Sequence, residues 1–257
     1  MRHITFLKYN MDKNITGFFT NFNAVSHIEK EDYSHMEAVI AVAETTVRTT
    51  GYGVYIFDYY QKNVVYVSSN IKVWSGIEAA DFLENGLNAY LKHFNPNDLE
   101  MLYDINDAAF KFWSERPAKE CLNYVVSYDF RFKNYMFNQR YSPMIVKNDR
   151  IWLAMCVVSM SSNDEPGNIV MKNTSNGTAY RYSMGKKSWE KLPQILLSEK
   201  EKSLIRYSAQ GLSSGDIAEL FHLGTETVRT HKKNLFKKLG VNSMAEAIIY
   251  ANNTNLL

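Results

Sequence analysis

Two cysteines in 257 residues are too few for a disulfide framework. Cys121 and Cys156 both lie in apolar, strand-like runs and read as reduced core residues. The chain has no Cys-x-x-Cys, no His-Glu-x-x-His and no phosphate-cradling glycine loop, so the common signatures of zinc, redox and nucleotide chemistry are missing. No apolar run reaches membrane-spanning length. The first ten residues, MRHITFLKYN, carry neither the apolar core nor the cleavage site of a secretory signal. A cytoplasmic protein without membrane contact is therefore expected, and matches such as Asn176-Gly177-Thr178 carry no glycan meaning.

Strong overall charge is missing too. The net charge is only +2, which excludes a chain that is basic throughout. Charged residues (22%) and apolar ones (46%) lie in the globular range, and the length allows two domains with real cores. The charge is uneven, however. Between Gly224 and Gly240, Arg229, Lys232, Lys233, Lys237 and Lys238 face Glu226 alone. A basic cluster of this kind is the electrostatic footprint of phosphate contact.

That cluster sits in the most legible part of the chain, Leu197 to Glu246. Leu197-Ser198-x-x-Glu201 reads as a capping box. Leu204, Ile205, Ser208 and Ala209 follow at helical spacing, with Gly211 where a C-cap belongs. A second short helix carries Ile217, Ala218, Leu220 and Phe221. After Leu223 a third helix starts, capped by Gly224 or Thr225, with Val228, His231, Leu235 and Leu239 as an inward stripe. A fourth is expected from about Ser243 to Ala251, with Ala245, Ile248 and Ile249 along one side. A short helix joined by a tight turn to one with a basic, polar outer face is a helix-turn-helix. Gly211-Leu212-Ser213-Ser214-Gly215 fits a hydrolase nucleophile pattern by letter only, because a helix rather than a strand precedes it. No enzymatic activity is expected.

The stretch closely resembles the LuxR-type (GerE-like) helix-turn-helix family, through Ala209-Gln210-Gly211, Asp216-Ile217-Ala218, Thr227-Val228-x-x-His231 and Lys238-Leu239-Gly240-Val241 in register. The family usually has Ser at the position of Gly224. The resemblance implies an all-α, four-helix domain over residues 197–257, the third helix entering the DNA major groove and the fourth pairing protomers. It implies base contacts by Arg229, Thr230 and Lys233, with Thr225, Thr227 and Lys232 nearer the phosphates. Lys237 shares the outer side of the third helix and joins this set of DNA-binding residues.

Upstream, Tyr33, Met36, Ile40, Ala43 and Val47 recur at spacings of three and four, an amphipathic helix from Glu29 to Thr50. It either crosses its own domain or pairs with its copy. Two strands follow (Val54–Phe57 and Val64–Val67), then short helices from Ile71 to about Tyr90 and a longer helix from Leu99 to Trp113. Three more strands run over Leu122–Phe132, Tyr135–Val146 and Ile151–Met160. This order, with Tyr66-x-Ser68-x-Asn70 and the turn Asn95-Pro96-Asn97-Asp98, resembles a PAS domain, an α+β sensor fold. PAS domains bind haem, flavin or small metabolites, or only pair with other proteins. Neither cysteine lies where a flavin photoreceptor needs one, and His93, the one histidine near the right helix, reads as a surface residue. Metal ligands are not expected, and cofactor and ligand stay open.

The expected organisation is an α+β PAS-like antiparallel sheet domain with helices over residues 1–165, including an N-terminal helical extension. A connector with a β-hairpin around Asn176-Gly177 spans 166–196, and the all-α DNA-binding domain spans 197–257. Lys172, Arg181, Lys186, Lys187 and Lys191 against Glu190 make the connector basic, which reads as a solvated linker, with contact to the DNA backbone as the alternative. Trp189, Leu192 and Ile195 are expected to seat it on one of the two domains. The chain as a whole reads as a transcription regulator acting on double-stranded DNA as a homodimer, with RNA polymerase and a small-molecule ligand as candidate partners. The alternative is a ligand-free PAS-like domain that serves only for dimerisation or protein docking.

Overall fold

The computed structural model describes residues 25–91, 93–193 and 195–253. The aromatic, Asn-rich stretch up to residue 24 lies outside the described residues. The chain divides into two compact units, one ending at Leu192 and the other beginning at Pro193.

The first unit is built on one eight-stranded sheet. Its strands are β1 (Gly53–Asp58), β2 (Asn63–Val67), β3 (Tyr124–Phe132), β4 (Tyr135–Lys147), β5 (Arg150–Met160), β6 (Gly167–Asn173), β7 (Ala179–Ser183) and β8 (Ser188–Lys191). Their spatial order is β2-β1-β5-β4-β3-β6-β7-β8, and every neighbouring pair is antiparallel. A tight helical turn (Lys30–His35) and α1 (Met36–Thr50) precede β1. Between β2 and β3 come α2 (Ile71–Ser75), α3 (Ala79–Asn85), α4 (Asn88–Leu91), α5 (Pro96–Ser114) and α6 (Ala118–Cys121). Two strands, short helices, a long helix and three strands is the expected PAS-like order. The long helix starts three residues earlier than its apolar period suggests, because the Asn95 side chain accepts from the Asn97 N–H at 2.9 Å and Pro96 fits the first turn.

Strand alternation sends successive side chains to opposite faces, so the contacts of one strand place both helical layers. Phe57 meets Tyr59 at 6.0 Å and Tyr59 meets Phe110 of α5 at 4.6 Å, which puts α5 over one face. Asp58 points to the other face and accepts from the Tyr33 hydroxyl at 2.6 Å, which puts the lead-in to α1 there. β1, sandwiched between the two layers, is buried at all six positions. Lys147 pairs with Asp32 at 2.6 Å and the Asn148 amide donates to His27 O at 3.0 Å, fastening the same lead-in to the β4–β5 turn. Burial raises the Asp58 carboxyl, and the Tyr33 hydroxyl and the Tyr60 and Gln61 N–H groups limit the rise.

The stretch read from sequence as connector contributes β6–β8 and lengthens the sheet beyond β3. The hairpin at Asn176-Gly177 joins β6 to β7. Trp189 on β8 donates its indole N–H to Ala108 O of α5 at 3.0 Å and stacks near Phe112 and Tyr182, so this segment is seated on the first unit. Lys186 and Lys187 are paired with Glu190 and Asp104, so part of the basic charge is neutralised locally. Ile195 packs instead on the core of the second unit.

One buried carboxylate stitches the β5–β6 crossing to the sheet. Asp129, 1% exposed, accepts from Asn138 Nδ2 (3.0 Å), Ser161 Oγ (2.9 Å), Asn163 Nδ2 (2.7 Å) and Asn168 Nδ2 (3.0 Å). It sits where the β3–β6 register slips. Both cysteines are free and buried, but Cys121 closes the one-turn helix α6 rather than lying in a strand. His93 is exposed, its ring edge-on to Phe132 at 6.0 Å.

Candidate nucleic-acid interface

The second unit consists of α7 (Glu199–Ala209), α8 (Ser214–Phe221), α9 (Thr225–Leu239) and α10 (Met244–Asn253). Each of the first two starts at a reciprocal cap. Glu201 N donates to Ser198 Oγ at 3.2 Å while Ser198 N donates to Glu201 Oε2 at 2.7 Å. Ser213 and Asp216 repeat the arrangement at 2.8 and 3.2 Å. The second box is legible as Ser-x-x-Asp, a signal the sequence reading passed over. Ser213, inside the Gly-x-Ser-x-Gly match, is thus occupied as a helix cap.

The turn between α8 and α9 is three residues long. His222 takes the left-handed conformation (φ 52°) that closes α8, its N–H reaching Ala218 O and Glu219 O. Leu223 N donates to Ala218 O at 2.9 Å, and Gly224 caps α9. Leu204, Ile205, Ile217, Ala218, Val228, Leu235, Leu239, Ala247 and Ala251 form the core. Burying a side chain such as Leu235 contributes about 1.5–3 kcal/mol, while an exposed pair three residues apart on a helix adds about 0.2–0.5. The buried stripe therefore fixes how α9 is turned.

Two expectations need correction. His231 lies at the flank of the stripe, half-buried, because it is turned away from the line through Val228, Leu235 and Leu239. Leu220 is 52% exposed, since Ile217 and Ala218 already fill the contact of the short α8. On α10, Ala247 and Ala251 face inward, and the side expected to carry Ala245, Ile248 and Ile249 is the outer one, with Ile248 half-buried and Ile249 at 58% exposure.

With the stripe inward, Thr225, Thr227, Arg229, Thr230, Lys233 and Lys237 are all exposed on α9. Arg229 forms an ion pair with Glu226, and the Thr230 hydroxyl donates to Glu226 O at 3.0 Å. Lys232 is half-buried and turned the other way, its ammonium donating to Ser214 Oγ at 3.0 Å in the first turn of α8. Lys238 is bound to Glu201 at 2.8 Å. That leaves it committed within the unit, in contrast to its reading as a free phosphate contact. Asn234 is also exposed on α9, and nothing in the residue pattern singled it out. Among the described residues no group of three or more His, Cys, Asp and Glu could hold a metal, and no helix is long and apolar enough to cross a membrane.

Residues 196–251 match the family model for bacterial regulatory proteins of the luxR family. The Fimbriae Z protein of Salmonella typhimurium is 44% identical over 61 residues, 24% of this chain and 29% of that protein. The response regulator protein VraR of Staphylococcus aureus is 37% identical over 62 residues, 24% of this chain and 30% of its own length. The chain thus spans less than a third of these relatives. Among solved structures, a VqmA–ligand–DNA complex from Vibrio cholerae aligns over 90% of this chain and 91% of that one, with 11% identity and a TM-score of 0.30. Escherichia coli SdiA aligns over 90% and 93%, with 16% identity and a TM-score of 0.27. A TM-score this low carries no argument about function.

Proposed function

We propose that this chain, whose C-terminal unit is a luxR-family helix-turn-helix domain, is a sequence-specific DNA-binding regulator of transcription. The observation that carries the reading is the arrangement of α9. Its apolar stripe is spent on the core, and Arg229, Thr230, Lys233 and Lys237 stand outward together. Arg229 reads a base by two parallel hydrogen bonds, with Thr230 and Lys233 beside it, while Thr225, Thr227 and Lys237 hold the phosphates and Lys232 reaches one on leaving Ser214. Releasing Arg229 from Glu226 is cheap, because an exposed ion pair contributes about 0–1 kcal/mol. A bidentate contact to guanine supplies about 1–3 kcal/mol of discrimination. The regulator works as a homodimer, so that two copies of α9 meet two half-sites. Ala245 and Ile249, apolar and outward on α10, support that assembly.

The PAS-like unit supplies the signal, and a small molecule in its interior is the reading with support. Tyr141 Oη and Trp113 Nε1 are both buried without a hydrogen-bond partner, their rings 5.6 Å apart between β4 and α5. Leaving such groups unpaired costs about 1–3 kcal/mol each, which a ligand offering a donor and an acceptor would recover. Native mass spectrometry of the purified chain, with Tyr141→Phe as control, tests this. A co-purifying molecule lost in the variant supports a sensor. A protein empty in every preparation favours a domain used only for docking. The DNA reading is tested by binding over single-base variants of the selected site. Arg229→Ala should relax preference at one base pair, and an unchanged preference at every position refutes the groove-facing assignment.

A further inference from the structure

Register carries one face of the sheet from β1 across to β7. Val54 pairs with Val157, Val157 with Arg140, Arg140 with Ser127, Ser127 with Val170 and Val170 with Arg181. One row along, Val125 pairs with Lys172. This is the Asp58 face, whose β1 edge lies under α1. Away from α1 most of its side chains are half-buried or exposed, the capped Asp129 excepted, while those of the opposite face are buried along the middle of each strand. An open face on an antiparallel sheet is ordinarily polar. This one is floored by Val125, Val157 and Val170 and studded with Arg140, Lys172 and Arg181. None of the three cations has an ion-pair partner among the described residues. The Lys172 ammonium is shielded from solvent with no hydrogen-bond partner at all. Burial also pulls its pKa below the ordinary lysine value.

The neighbour of this surface has the opposite character. α1 spends Met36, Val39 and Ala43 on the core. Outward it presents Ala41 and Val42, the latter 50% exposed, between Glu37 and Glu44. The Glu44–Arg48 pair at 3.8 Å is exposed and weak. One copy therefore carries an acidic helix and a basic, apolar-floored sheet side by side. A surface of two complementary halves is satisfied by its own copy about a two-fold axis between them. We propose that a second copy of this chain covers the open sheet face, the α1 of each protomer lying against Arg140 and Arg181 of the other. The inference rests on the homodimer reading above and names the surface it uses.

The test is charge reversal in the full chain, followed by sedimentation equilibrium. Arg140→Glu with Arg181→Glu, both at exposed positions, should weaken dimerisation about tenfold or more, and so should Glu37→Lys with Glu44→Lys. Combining all four reversals should restore the affinity, a rescue that general damage would not produce. Circular dichroism of each variant checks that the fold is intact. A dimer whose dissociation constant ignores both reversals, or four reversals that fail to rescue, overturns this surface while leaving the homodimer standing. A wild-type chain that stays monomeric with and without DNA overturns both.

Discussion

Replacing Asp129 by Ala removes the acceptor from four side-chain hydrogen bonds at once. Bonds to a charged acceptor contribute about 1.5–3 kcal/mol each, so a simple sum runs to about 6–12. The surroundings reduce that figure. Asn163 and Asn168 are exposed and Ser161 is half-exposed, so all three donors regain water when the carboxylate goes. Asn138 keeps contacts to Ser127 Oγ at 3.1 Å and Tyr128 O at 3.3 Å. What is lost without recovery is the pre-organised pocket around a carboxylate 1% exposed, together with its hold on the turn from Ser161 to Asn168. A cost of about 2–4 kcal/mol follows. For a unit of this size, 1 kcal/mol moves Tm by about 2–4 °C, so the first unit should melt about 5–15 °C lower. Thermal unfolding followed by near-ultraviolet circular dichroism, which reports the aromatic-rich first unit, measures it. Asp129→Asn should fall in the same direction, because its amide places a donor against donors. If Asp129→Ala melts within about 2 °C of wild type, the network contributes nothing net and the reasoning fails.

Three further outcomes are expected. Lys237→Ala should lower the slope of log affinity against log salt by about one unit and weaken cognate and random DNA alike, as filter binding at several salt concentrations would reveal. Lys238→Ala should leave that slope unchanged, because its ammonium is held by Glu201; a drop equal to that of Lys237→Ala would contradict the assignment. Burial alone would raise the Glu201 carboxyl, but Lys238 and the Ser198 N–H and hydroxyl outweigh it and hold it below its ordinary value of 4.5. The folded value is the lower one, so its stabilisation is complete above the unfolded value and drains away as pH falls through the folded one. The second unit should accordingly lose stability between about pH 5 and pH 3, and Glu201→Gln should flatten that loss; equal slopes would contradict it.

The helix-turn-helix was legible because its determinants are local. Ser198 and Glu201 are three residues apart, and Val228, Leu235 and Leu239 recur on one helix. Local spacing says less about what lies beyond a stripe. His231 and Leu220 fit their patterns by period, yet His231 is half-buried because it is turned off the line of Val228, Leu235 and Leu239, and Leu220 is exposed because Ile217 and Ala218 fill the contact of the short α8. Strands β1 to β5 were legible as apolar runs bounded by turn residues. β8 was not, because Ser188–Lys191 carries two charges in four residues and is held by Trp189 on a helix 81 residues away. The same holds for Asp129, Asn163 and Asn168, whose meeting depends on which strands neighbour which. Lys238 looked like its basic neighbours until Glu201, 37 residues upstream, was found beside it. Thr225, Thr227, Arg229, Thr230, Lys233 and Lys237 are exposed on α9 because Val228, Leu235 and Leu239 are spent on the core.

The two buried thiols have a practical meaning. A cysteine attacks an electrophile as its thiolate, and burial pushes Cys121 up to about 11 and Cys156 higher still. Near neutral pH a thiol at that value is ionised about once in ten thousand molecules, and the fold shields even that fraction. The native protein is therefore nearly silent to maleimides and to mild oxidants. A cysteine placed on α1, on the open sheet face or on α9 would be the reactive one on an otherwise unmodified background. Spin labels, fluorophores or cross-linkers could report from each surface in turn without first removing the natural residues, and with them the packing around β5 and α6.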